Sequence, residues 1–215
     1  MRIFKCKKKY KIINKKSCFI ESTVEIGEDV VIYENNRIYG KTKIADGTIL
    51  LPNNYICDCE IGENCEIENS HLEGSEIGDN VKIGPFARIR PKTKIAENCK
   101  IGNFVEIKNS EIGKGCKISH LAYVGDVEMG ERCNVGCGVV FVNYNGKEKN
   151  KTIVGSNCFI GSNANIIAPC EIKNNCYICA GTTITHNLDE YDFAIGRVRE
   201  EVKPRRAINY LKNIY

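Results

Sequence analysis

Aliphatic residues recur every six positions along most of this chain. Ile20, Ile26, Ile32, Ile38, Ile44, Leu50 and Ile56 form the first run. After small slips the spacing resumes at Ile83, Ile89, Ile95, Ile101 and Ile107, then at Ile112 and Ile118. It closes with Val154, Ile160, Ile166, Ile172, Ile178 and Ile184. The next residue is often Gly, Ala or an acid, as in Ile26-Gly27, Ile44-Ala45 and Ile61-Gly62. A period of six suits neither an amphipathic helix nor an alternating strand. It suits short strands joined by tight corners, three to a coil, with each aliphatic pointing into a triangular prism.

The spacing therefore predicts an all-β chain, a parallel β-helix of about nine coils of 18 residues, roughly 40 Å tall. It places a basic cap or tail over 1–19, the β-helix over 20–186, and a C-terminal tail over 187–215. Ala207, Ile208, Leu211 and Ile214 sit at near-helical spacing in that tail. One real break interrupts the repeat. A polar loop at about 142–152, with the turn dipeptide Asn145-Gly146, separates Phe141 from Val154. Such extrusions sit on one face of a solenoid and often carry function.

Composition agrees with an aliphatic prism. Of 215 residues, 42% are hydrophobic but only 8% aromatic, and there is no Trp. The 13 cysteines are an odd number, so they cannot all pair within the chain. Seven of them (Cys65, Cys99, Cys116, Cys133, Cys158, Cys170 and Cys176) fall four residues after a repeat aliphatic. That slot reads as small and inward, where a free thiol acts as a small hydrophobe. The pair Cys176-x-x-Cys179 has no second CxxC to complete a four-sulfur site, and the three histidines, His71, His120 and His186, fall in different coils. No metal is expected.

The net charge of +4 hides an asymmetry. Residues 1–16 carry eight cations and no acid, which leaves the body acidic. An acidic body argues against a nucleic-acid footprint. No signal-peptide core follows the basic head, and no apolar run approaches a membrane span. The expectation is a soluble cytoplasmic protein with reduced thiols.

Candidate chemistry gathers just before the loop. His120 is a possible general base near neutral pH, with an idle surface imidazole as the alternative. Arg90 and Lys108 lie 18 residues apart and should stack on adjacent coils. Two neighbouring cations invite an anion such as phosphate. Neutralisation by Glu106 or Asp126 is the other outcome. A base, a phosphate clamp and a polar loop together suggest group transfer to a phosphorylated small molecule.

The stretches Ile83-Gly84-Pro85-Phe86-Ala87-Arg88-Ile89-Arg90-Pro91, Gly102-Asn103-Phe104-Val105-Glu106-Ile107-Lys108-Asn109 and His120-Leu121-Ala122-Tyr123-Val124-Gly125-Asp126 carry a more specific resemblance, as do Asn143-Tyr144-Asn145-Gly146 and Ala180-Gly181-Thr182. The chain resembles the acetyltransferase half of the bacterial bifunctional N-acetylglucosamine-1-phosphate uridylyltransferase/glucosamine-1-phosphate N-acetyltransferases over most of 20–199. The resemblance implies a left-handed β-helix, a homotrimer with sites between subunits, and acetyl transfer from acetyl-CoA to the 2-amine of glucosamine 1-phosphate. It matches His120 to the catalytic base and Glu106 to an assisting carboxylate. It matches Arg90 and Lys108 to the phosphate clamp, and Tyr123, Asn134, Asn143, Tyr144 and Lys149 to sugar-phosphate contacts. Cys137 matches a backbone amide beside the acetyl group, and Ser162, Ala180 and Arg197 match coenzyme contacts. Two departures stand out. The usual Gly-Ala-Gly is Gly136-Cys137-Gly138, and the usual Asn-Tyr-Asp-Gly is Asn143-Tyr144-Asn145-Gly146. Residues 1–19 cannot hold the Gly-rich nucleotidyltransferase domain of the family, so uridylyl transfer is not expected from this chain. A related acyltransferase with another amine or acyl donor, and a non-catalytic trimeric scaffold, are the alternatives.

Overall fold

The computed structural model describes residues 10–211. The basic residues 2–9 and Ile214 lie outside the described residues. Strands of two to four residues stack into three parallel sheets of eleven, ten and nine strands. The first face runs from Lys11–Ile12 to Phe193–Ala194, the second from Phe19–Ile20 to Thr183–Ile184, and the third from Glu25–Ile26 to Cys170–Ile172. Each coil visits the three faces in turn, consistent with a left-handed parallel β-helix. The ladder starts earlier and ends later than the repeat suggests. Lys11 pairs with Val31, and Ala194 pairs with Ile178. Eleven strands at about 4.8 Å make the first face about 48 Å tall.

The register turns the repeat into columns. On the first face Ile67 pairs with Ile83, Ile83 with Ile101, Ile101 with Ile118, and Ile118 with Val135. These side chains are 0–3% exposed and fill the prism. The loop is the one long detour, and the ladder resumes beyond it with Val135 on Ile160.

Corners are tight, and many require the left-handed backbone region. Asn and Asp tolerate it, and they occupy it at Asn53, Asn64, Asn80, Asn98, Asn163 and Asn175. At the corner between the first and second faces the rule fails in three successive coils. Phe86, Phe104 and Leu121 hold φ of 60°, 57° and 47°, and each is more than half exposed. Phe86 and Phe104 stack with ring centroids 5.3 Å apart.

The inward cysteines do more than fill space. At the corner between the third and first faces each thiol donates to a carbonyl of the next coil. Cys65 reaches Gly78 O, Cys99 Gly113 O and Cys116 Gly130 O, each at 3.1 Å. Cys133 reaches Gly155 O at 3.0 Å, and Cys158 and Cys176 reach Lys173 O and Asp189 O at 3.1 Å. Thr48 does the same to Gly62 O at 2.8 Å. The slot takes a small side chain, valine at Val30 and Val81, and where it is Cys or Thr the side chain also satisfies a carbonyl of the next coil. Cys170 differs: it lies at the other end of the third face and bonds His186 O at 3.3 Å.

Burial pushes the Cys59 thiol up to about 11. Native alkylation near pH 8 is expected, among the described cysteines, only at half-buried Cys18, Cys57 and Cys137. Cys57 should react slowly, because burial and then Asp58 raise its thiol. Peptide mass spectrometry checks this, and rapid labelling of Cys116 would contradict it.

Candidate active site

The site residues fall into two columns at two corners of the prism. The first follows the corner between the first and second faces. Asn103 and His120 are register partners, and Lys117–Asn134, Ile118–Val135, Asn134–Phe159 and Phe159–Tyr177 continue the ladder above them. Two residues further along each strand, His120, Cys137, Ser162 and Ala180 therefore stack coil upon coil. Asn163 N–H donates to Cys137 O at 2.7 Å, and Gly181 N–H donates to Ser162 O at 2.8 Å. Among the described residues, no acceptor takes the N–H of Cys137, Ser162 or Ala180. Arg197 joins this column from the tail, where Nη1 donates to Ala180 O at 3.1 Å. Asn134 stands beside it on the first face, beneath the exposed ring stack of Phe159, Tyr177 and Phe193.

His120 is exposed, and its Nδ1 lies 2.6 Å from Asn103 Oδ1. Glu106 does not touch it. The carboxylate instead accepts from Arg90 Nη1 at 2.8 Å. Asn103 is the neighbour of the imidazole that the sequence left unremarked. Its signal was the 17-residue coil step from Gly102-Asn103-Phe104 to Ser119-His120-Leu121.

The second column approaches the corner between the second and third faces. Arg88–Glu106 and Ile89–Ile107 are register pairs, so Arg90 and Lys108 stack as their spacing suggests. Arg90 is neutralised by Glu106. Lys108 has no carboxylate partner among the described residues. The Lys149 ammonium beside it, then partial burial, then Arg90, hold its proton below the ordinary lysine range, with Asp126 pulling the other way. Asp126 is buried and occupied, since Asn109 and Asn143 both donate to it.

Gly125 pairs with Lys108, and the Tyr123 ring lies over it. A Cβ at 125 would sit 2.5 Å from Tyr123 Oη, so glycine makes room for the ring. Asn143 Nδ2 reaches that hydroxyl at 3.4 Å. The loop is a compact turn rather than an open strap. Asn145 Oδ1 accepts from the amides of Lys147 and Glu148 at 2.9 Å, and Tyr144 pairs with Lys149. The amide oxygen at 145 is enough for this turn, so the charge absent there costs no bond. The loop's return arm borders a cleft of about 310 Å³ that Lys149, Asn109 and Asp126 line. A larger groove of about 850 Å³ runs along the third face and holds none of the site residues named above.

The family comparison meets this geometry in the repeats. The model "Bacterial transferase hexapeptide (six repeats)" matches residues 74–109 and 151–186. Those two stretches are similar to bacterial hexapeptide-repeat transferases. The chain is 50% identical over 189 residues to the bifunctional protein GlmU of Clostridium novyi (strain NT), covering 88% of this chain and 41% of the relative. GlmU of Caldicellulosiruptor saccharolyticus is 49% identical over 192 residues, covering 89% and 42%. The chain thus spans about two fifths of the length of the curated relatives it matches. A solved LpxA, a UDP-N-acetylglucosamine acyltransferase from Bacteroides fragilis, shares the fold with a TM-score of 0.50 at 19% identity, over 86% of this chain and 71% of that one. No helix among the described residues is long and apolar enough to cross a membrane.

Lys108 gives this site a testable electrostatic signature. A base that holds its proton less tightly when folded penalises the folded state below its lowered pKa. The penalty disappears as pH rises towards the ordinary value of 10.5. Lys149→Gln should therefore raise the thermal midpoint at neutral pH. Millimolar inorganic phosphate should raise the wild-type midpoint more than that of Lys149→Gln. Equal responses in calorimetry would contradict the clamp.

Proposed function

We propose that this hexapeptide-repeat chain is an N-acetyltransferase that moves acetyl from acetyl-CoA to the 2-amine of glucosamine 1-phosphate. The observation that carries this reading is the first column. His120 stands one coil below the free N–H of Cys137, with the free amides of Ser162 and Ala180 above it. The amine must be neutral to attack. His120 Nε2 takes a proton from it as the nitrogen bonds to the thioester carbon. The Cys137 N–H faces the oxygen that gains charge. The carbon–sulfur bond then breaks, and the imidazolium returns its proton to the coenzyme thiolate. Ser162, Ala180 and Arg197 extend along the path a coenzyme would take from that point. Arg90, Lys108 and Lys149 supply the charge for the sugar phosphate, and Tyr123, Asn134, Asn143 and Tyr144 border the sugar. The product, N-acetylglucosamine 1-phosphate, is a precursor for UDP-N-acetylglucosamine and the cell envelope.

The amine and phosphate of this acceptor sit on adjacent ring carbons. On one prism the two columns lie at opposite edges of the second face. Residues 121–126 span roughly 16 Å of backbone at about 3.3 Å per residue. The site therefore closes between the first corner of one copy and the second corner of another. Three copies with their second faces turned inward satisfy this with closed symmetry, making a homotrimer. The same packing covers the strained apolar ridge of Phe86, Phe104 and Leu121. It also covers the ring stack of Phe19, Tyr39, Tyr55 and His71, with centroids 4.4–5.2 Å apart. We place the protein in the cytoplasm, where acetyl-CoA is available.

Cys137 favours a second reading, a different acyl donor or amine, because its side chain narrows the acetyl pocket. Coenzyme thiol release with acetyl-CoA and a panel of amines decides between them. Glucosamine 1-phosphate should be preferred. His120→Ala should lose about 10²- to 10⁴-fold in kcat, and Lys108→Met should chiefly raise KM for the sugar phosphate. Wild-type rates from His120→Ala would sink the mechanism.

A further inference from the structure

We propose that Asn103 is a positioning residue that fixes the tautomer of His120, keeping the proton on Nδ1 and the lone pair on Nε2. The strands Lys100–Asn103 and Lys117–His120 are four residues long, whereas every other strand on the first face has two. The two extra residues carry the pairing out to the corner and set Asn103 directly under His120. Gly102 permits this approach. A Cβ there would lie 2.0 Å from Ser119 O, so any other residue would force these strands apart. Leu121 N–H donates to Asn103 O at 3.0 Å and ties the two coils together just past the pair.

The Asn103 Oδ1 to His120 Nδ1 separation is 2.6 Å. A carboxamide oxygen only accepts, so the proton between them belongs to Nδ1. The hydrogen bond made by one ring nitrogen decides the state of the other. Nε2 is then left basic. Asn103 does this without a charge. A carboxylate in its place would stabilise the imidazolium as well as orient the ring. No carboxylate bonds either ring nitrogen among the described residues; Glu106 is held by Arg90, and the coil above offers Cys137.

This inference rests on His120 acting as the base, but its test does not need activity. Label the full-length protein with ¹⁵N-histidine and record long-range ¹H–¹⁵N correlations, using His120→Gln to assign the signal. The wild type should show the Nδ1–H pattern. Asn103→Leu should move it towards the Nε2–H form and lower kcat about 10- to 100-fold with KM values held. Asn103→Asp should restore the Nδ1–H pattern and move the acid limb of kcat/KM to higher pH. It also serves if Asn103→Leu fails to fold. An Nε2–H signal in the wild type overturns the proposal, as does an unchanged signal in Asn103→Leu. Should the wild type show Nδ1–H while His120→Ala keeps full activity, the acetyl-transfer reading falls and the tautomer assignment stands.

Discussion

Each coil lays its amides against the carbonyls of the next, and this in-register pairing converts spacing along the chain into height on the prism. A step of 16 to 18 residues becomes one rung. Residues far apart in sequence, such as His120, Cys137, Ser162 and Ala180, become vertical neighbours through the ladder alone. The ladder costs the chain its freedom at the corners, where the backbone must turn within a residue or two. Asn, Asp and Gly meet that demand cheaply. The inward thiols and Thr48 answer the buried carbonyls that the turns leave behind.

Against that background, the places where the corner rule fails are informative. A Phe or Leu in the left-handed region costs of order 1–3 kcal/mol and is retained only where something compensates. Phe86, Phe104 and Leu121 occupy it on three adjacent coils, exposed, at the edge that carries His120. The functional reading supplies the compensation. In the proposed homotrimer the ridge packs against another copy, and the same strained corners hold Asn103 and His120 at the mouth of the proposed shared site. Charge follows a similar logic. Arg90 is balanced by Glu106, whereas Lys108 and Lys149 repel each other, a strain that the proposed phosphate would relieve.

Much of the fold was legible in the sequence because the repeat has one dominant period. The stacking of Arg90 on Lys108 followed from spacing alone, since no slip intervenes between Ile89 and Ile107. The inward cysteines were legible as core, but their donor role was not, because it depends on where the next coil's carbonyl points. The outermost coils escaped notice because Lys11-Ile12 and Phe193-Ala194 pair across steps that depart from 18 residues. The loop's order was hidden in Asn145, whose amide oxygen closes the turn. Glu106 was matched to His120 by resemblance, yet in the single chain it binds Arg90. Asn103 went unread because a neutral amide draws no notice of its own, and only the 17-residue coil step places it under an imidazole.

In the proposed homotrimer, one active site is built from two different corners contributed by two copies. The direct test is to mix the variants His120→Ala and Lys108→Met, one impaired in kcat and the other in KM, under conditions that exchange subunits. In a mixed trimer, a Lys108→Met chain offers an intact His120 column to the intact clamp of a His120→Ala neighbour. Coenzyme thiol release, nearly absent from either parent at low sugar-phosphate concentration, should return on mixing. If the exchanged trimers form and remain inactive, both columns serve the same chain's site, and the two-corner assembly is wrong.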